Sequence, residues 1–116
     1  MKFVSGKEAA SVYEPGFKMF QKRNLKIQNL VGPGVVAKVT CEDPFSQFSN
    51  DELDYGDVWE LYVIDWFSRR HYWCTANLNN GRSYQFRAYG EGAPRAHNKI
   101  VLVYTGAYIN GRNVTI

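Results

Sequence analysis

Four residues of this chain have side chains that commonly bind zinc: Cys41, His71, Cys74 and His97. Their spacing does not suit it. His71 and Cys74 are three apart, which on a strand sends them to opposite faces, and no paired-ligand spacing of a zinc finger is present. We expect no metal, and read Cys74 as a small core residue. The acidic run Asp51, Glu52, Asp54 and Asp57 lacks the alternating acids before a glycine that a calcium loop requires. A solvated acidic loop is expected there instead. Glu60, Arg87 and His97, with His71 as a substitute acid, supply the parts of a small β-rich ribonuclease: a carboxylate base, a guanidinium for the phosphorane charge and an imidazole acid. Geometry, not composition, defines such a site. There is no P-loop, dinucleotide fingerprint, nucleophile elbow or HExxH motif, so no cofactor is implied.

The remaining constellation is a binding one. His71, Trp73, Gln85, Arg87 and Tyr89 interleave flat rings with polar groups, and Arg69, Arg70, Arg82 and Arg95 flank them. Rings that stack on bases, with basic residues tracking the backbone, are how single strands are held. The same aromatic and arginine chemistry makes hot spots at protein interfaces. Two partner classes therefore stand open, a single-stranded nucleic acid and a protein. The absence of catalytic motifs suits a non-enzymatic accessory or inhibitory protein, of the kind viruses encode.

A hairpin must position these residues. Asn79-Asn80-Gly81 separates two alternating runs and reads as a tight turn. A two-residue loop would mix polar and apolar side chains on both faces. A three-residue loop pairs Leu78 with Arg82, Ala76 with Tyr84, Cys74 with Phe86 and Tyr72 with Ala88, giving one apolar face. It also puts Gly81 where a type I turn with a G1 bulge needs a left-handed residue. On the opposite face, Trp73 then faces Arg87 and His71 faces Tyr89. Upstream, Val58–Trp66 is apolar on both faces, the pattern of a central strand covered on both sides.

The 116 residues suffice for one domain with its own core. With 45% hydrophobic and 16% aromatic residues the chain is folded rather than disordered, and seven Phe and eight Tyr favour strands. No apolar stretch approaches the ~20 residues that cross a bilayer. The N-terminus lacks a signal-peptide apolar region, so a cytoplasmic protein with Cys41 and Cys74 reduced is expected. Charge is segregated: +5 over residues 1–41, −8 over 42–65 and +6 over 66–116. The acidic segment either forms a separate lobe or lies over the basic strands.

Along the chain, Ser5 and Glu8 form a capping box for a short helix over Gly6–Tyr13, stopped by Pro15-Gly16. Leu25–Val31 reads as a strand or irregular edge, Val35–Cys41 as a strand, and Glu42–Gly56 as a long irregular excursion. Gly90–Asn98 reads as a flexible segment and Lys99–Thr105 as a strand. Asn110-Gly111 turns a last hairpin. The expected fold is mainly β, a small antiparallel curved sheet or partly closed barrel of six or seven strands with one N-terminal helix.

Overall fold

The computed structural model describes residues 20–66 and 70–116. The expected helix and its cap, Ser5 to Tyr13, lie outside the described residues. Among the described residues nine strands run in chain order: β1 (Phe20–Asn29), β2 (Ala37–Glu42), β3 (Gln47–Leu53), β4 (Val58–Trp66), β5 (Tyr72–Leu78), β6 (Ser83–Tyr89), β7 (Asn98–Val103), β8 (Gly106–Ile109) and β9 (Arg112–Asn113). They form a five-stranded sheet, β4-β1-β7-β8-β9, and a four-stranded sheet, β3-β2-β5-β6.

Alternation explains why the sheets pack face to face. Ala37, Val39 and Cys41 of β2 are buried while Lys38 between them is exposed; Tyr72, Cys74, Ala76 and Leu78 do the same on β5. Leu25 and Ile27 of β1, Ile100 and Leu102 of β7, and Ala107 and Ile109 of β8 supply the facing layer. All join one continuous core, so each sheet hides its single apolar face against the other. The mainly β expectation is met, but as two sheets and not as a closed barrel. One edge is laced together: Val114 accepts from Arg87 N–H and donates to Ala107, and Ile116 N–H donates to Gln85, which ties β6 to β8.

Purely antiparallel pairing was expected because no crossover helix is available. Instead β1 and β7 pair in parallel, Leu25 beside Asn98 and Ile27 beside Ile100. A parallel pair needs a long connection, not a helical one, and β2 through β6 supply it. The Glu42–Gly56 excursion contains β3, an edge strand whose sides are both mostly exposed. With no buried face to fill, it carries no apolar period to read. β4 is also an edge strand, hydrogen-bonded to β1 alone among the described residues. Its inner face holds Leu61 and Val63, but Val58, Tyr62 and Ile64 are 46%, 53% and 40% exposed, so it is not covered on both sides.

The central hairpin has the expected loop. Leu78 N–H donates to Arg82 at 2.8 Å, Gly81 N–H to Leu78 at 3.1 Å, and Gly81 has φ +91°. Cys74 pairs with Phe86 on the inner side and Trp73 with Arg87 on the outer side. Beyond them the register shifts: Tyr72 pairs with Tyr89, not Ala88. The bulge turns Tyr89 inward, where it is fully buried. The final hairpin turns at Asn110 (φ +51°) and Gly111 (φ +79°), the two left-handed residues of a type I′ turn.

Cys41 and Cys74 are not reduced. They are direct cross-strand partners, 4.0 Å apart at Cα, and joined by a disulfide. Two inward-facing cysteines in register on adjacent strands meet whatever their distance in sequence, and strand pairing between β2 and β5 was not readable from the chain. The bond spans 33 residues. Its reduction should cost about 3–4 kcal/mol, the closure entropy of a loop that long in the unfolded chain. Urea unfolding with and without reductant measures this; two reactive thiols in the unfolded, unreduced protein would overturn it.

Candidate functional site

The outer face of the four-stranded sheet carries the residues singled out from the sequence. The ladder places Gln47, Glu42, Trp73 and Arg87 in one row and Ser49, Thr40, Thr75 and Gln85 in the next. A hydrogen bond of 3.1 Å links Thr40 and Ser49. At the end of the hairpin His71 tilts 30° against Trp73, with ring centroids 5.8 Å apart. His71 Nε2 lies 3.5 Å from a carboxylate oxygen of Glu91. The loop after β6 presses on Arg87: Gly92 has φ +103°, and a β-carbon there would collide with the Arg87 stem. Together His71, Trp73, Arg87, Gly90, Glu91 and Ile116 line an open depression of about 150 Å³.

This end of the sheet is held from behind by two buried carboxylates. Asp65, on the inner side of β4, accepts from the Tyr89 hydroxyl at 2.6 Å, the Arg70 N–H at 2.9 Å and Arg95 Nη1 at 3.0 Å. Arg95 Nη1 also donates to the Arg70 carbonyl at 2.5 Å. Gly90 packs so close to that carbonyl that a β-carbon would sit 2.8 Å from it. Asp43, in the β2–β3 turn, accepts from the N–H groups of Phe45 and Ser46 at 2.9 and 2.7 Å and from the Ser46 hydroxyl at 2.9 Å. Arg70 Nη1 sits 3.0 Å from its other oxygen and donates to the Tyr72 hydroxyl at 3.1 Å.

Burial pushes the Asp65 carboxyl up, but the Tyr89 hydroxyl, the Arg70 N–H and Arg95 outweigh it, leaving its pKa below the ordinary value. Asp43 is lowered in the same way: burial opposes, while the Phe45 and Ser46 donors and the Arg70 charge prevail. Burial and the bond to Asp65 raise the Tyr89 hydroxyl, which keeps it a donor.

No protein-family model matches the chain, and no curated protein matches it. The site must be judged on its own geometry.

His71, Trp73, Gln85 and Arg87 share the outer face as expected. The other named residues do not join them. Tyr89 is inside, turned there by the bulge. Arg70 and Arg95 are held by Asp43 and Asp65 and serve the scaffold. Arg82 lies at the far end of the hairpin, with its guanidinium 4.4 Å from the centre of the Tyr104 ring and donating to the Tyr104 carbonyl at 3.1 Å. Arg69 is outside the described residues. The ribonuclease trio is divided: Glu60, on β4, accepts from the Asn24 side chain and His97, just before β7, from the Asn24 N–H, while Arg87 stands on the outer face of the other sheet. The four candidate zinc ligands are also scattered, with both cysteines in the core. Among the described residues no three His, Cys, Asp or Glu converge on a metal position.

Sequence reasoning missed Asp65, yet a signal existed. In Val58–Trp66 it takes the next inward position after Trp59, Leu61 and Val63, so an acid had to be buried and partnered. Glu42 and Glu91, which flank the depression, were also missed; strand pairing and a loop bring them in.

The two lowered aspartates make stability acid-sensitive. Their folded pKa values lie below the unfolded 3.8, so their contribution is complete above that pH and drains as pH falls through the folded values. Asp65→Asn should lower stability at pH 7 by about 2–3 kcal/mol, the loss of charge-assisted hydrogen bonds, and flatten the pH dependence below 3.8. Melting temperatures from pH 7 to 2 test this. An unchanged acid slope in the variant would show that the carboxylate carries none of it.

Proposed function

We propose that the chain is a non-enzymatic binding module that engages a protein partner through the Trp73–Arg87 depression. One observation carries the reading: Trp73 stands partly exposed between Glu42 and Arg87 on the outer strand face. A tryptophan with an arginine neighbour, braced by a bonded scaffold, is hot-spot composition. The depression is too small for a cofactor or drug-sized ligand, which occupy about 300 Å³ or more, and suits one inserted side chain. Arg87 favours a carboxylate on that partner, and Trp73 a flat or apolar group.

Single-stranded nucleic acid is the competing reading, and the His71–Trp73 ring pair with Arg87 favours it. Its phosphate track is thin. Arg70 and Arg95 are committed to buried aspartates, and Glu42 and Glu91 stand where phosphates would run. The Cys41–Cys74 disulfide favours action in an oxidising compartment over the cytoplasm that the N-terminus suggested. No helix among the described residues is long and apolar enough to cross a membrane.

The test compares the native chain with Trp73→Ala, Arg87→Ala and, two rows away on the same face, Lys38→Ala. A specific partner captured by the native chain should be retained by Lys38→Ala and weakened by at least about 2 kcal/mol in the other two, the hot-spot range. Equal capture by all four would overturn the site. A labelled single-stranded oligonucleotide, bound at low salt with a log–log salt slope of roughly 0.7 per phosphate contact and lost in Trp73→Ala, would favour the nucleic-acid reading. Degradation of an RNA oligonucleotide that His97→Ala abolishes would restore the ribonuclease.

A further inference from the structure

We propose that the chain forms a two-fold symmetric dimer through β4, the second copy's β4 extending the five-stranded sheet across the molecular boundary. The starting observation is how differently the four sheet edges are treated. Along β6 the edge is covered by Val114–Ile116. β9 has only two residues. β3 breaks register between Ala37 and Val39 of its partner strand and carries Asp51 and Glu52. Bulges, charges and brevity are the devices that keep an edge from pairing with another chain. β4 has neither bulge nor brevity, and its one exposed charge is Glu60. It runs nine residues in unbroken register with β1, without proline, lysine or bulge.

The direction of its backbone groups follows from two hydrogen bonds. Asp57 C=O accepts from Asn29 N–H at 3.1 Å, so the odd positions of β4 bond to β1. Asn24, the partner of Tyr62, turns its N–H away to His97. The N–H and C=O of Val58, Glu60, Tyr62, Ile64 and Trp66 therefore point outward, and no described residue pairs with them. These even positions also carry the exposed side chains Val58, Tyr62 and Ile64. Among the described residues an open ladder thus coincides with three exposed apolar side chains, Val58, Tyr62 and Ile64, on one strand.

The occupant follows from self-complementarity. An antiparallel copy with the axis at Tyr62 sets Tyr62 against Tyr62, Glu60 against the second copy's Ile64, and Val58 against its Trp66. Every outward group of the strand is then used, in about ten ladder hydrogen bonds. Charge agrees with this register. Lys22 lies beside Ile64 on β1, with its ammonium 4.8 Å from the centre of the Tyr62 ring. Glu60 of one copy therefore approaches Lys22 of the other, twice across the axis. An axis at Glu60 would instead oppose two carboxylates. In the single chain the Glu60 carboxylate accepts from the Asn24 side chain of its own β1, a bond it exchanges in the dimer for the second copy's Lys22.

Sedimentation equilibrium of the full chain should show a concentration-dependent mass rising towards twice 13.3 kDa. Tyr62→Lys, which sets two ammonium groups at the axis, should raise the dissociation constant at least tenfold. Glu60→Lys should weaken the dimer, and adding Lys22→Glu to it should restore association. Tyr62→Cys, oxidised with oxidised glutathione, should give a covalent dimer, because a hydrogen-bonded cross-strand pair lies within disulfide reach; Gln47→Cys on the β3 edge should not. A monomer at all concentrations, a dimer indifferent to Tyr62→Lys, or no covalent Tyr62→Cys dimer would each overturn the proposal. The cysteine test decides the matter should the lysine variant fail to fold.

Discussion

The carboxylate of Asp65 is the constraint on which this molecule turns. It is buried, and a buried charge is tolerable only when its lone pairs are filled. Three donors fill them, and each comes from a different segment: Tyr89 from β6, the Arg70 N–H from the connection before β5, and Arg95 from the loop before β7. Asp65 itself belongs to β4, in the other sheet from β5 and β6. One side chain therefore fixes how the two sheets meet at this end. Apolar contact alone would leave their relative slide open, because greasy faces have no preferred register along the strand.

The bulge before Tyr89 is the local price of that arrangement. Continued register would have left Tyr89 on the outer face beside His71. The extra residue at Ala88 turns the ring inward to reach Asp65. With Tyr89 withdrawn, the outer end of the hairpin is defined by His71, Trp73 and Arg87, and the Gly90–Gly92 turn closes over it. Gly90 and Gly92 both have positive φ and no room for a β-carbon. The shape of the depression and the stability of the core thus depend on the same few residues.

Local chemistry was legible in the chain; pairing between distant segments was not. The Gly81 loop, the Trp73–Arg87 and Cys74–Phe86 pairs and the Asn110-Gly111 turn could be read because turn geometry and alternation constrain them within a few residues. The disulfide, the parallel β1–β7 pair and the edge position of β4 all depend on which strand lies beside which, and period-two patterning carries no information about that. Of the candidate site, the four residues on one side of the hairpin were readable by parity. The roles of Arg70 and Arg95 were not, since an arginine looks the same in sequence whether it faces solvent or a buried aspartate. β4 differs from its pattern for a related reason: apolar residues on both faces imply burial on both, whereas Val58, Tyr62 and Ile64 on one face are exposed.

The acidic segment neither forms a lobe of its own nor blankets the basic strands. Two of its members, Asp43 and Asp65, are buried and pair with Arg70 and Arg95, Asp65 across the two sheets and Asp43 in the β2–β3 turn. Asp51, Glu52, Asp54 and Asp57 stay exposed along β3 and the turn after it. Two of the seven Lys and Arg side chains of residues 66–116 are thereby neutralised internally. Among the described residues, what remains at the hairpin's outer end is one guanidinium, Arg87, beside one partly exposed indole, between the carboxylates of Glu42 and Glu91. A polyanion sliding along this face would meet repulsion on either side of a single attraction. A partner that offers one acidic group at one place would meet only the attraction, and the fixed position of Trp73 would decide whether the rest of its surface fits.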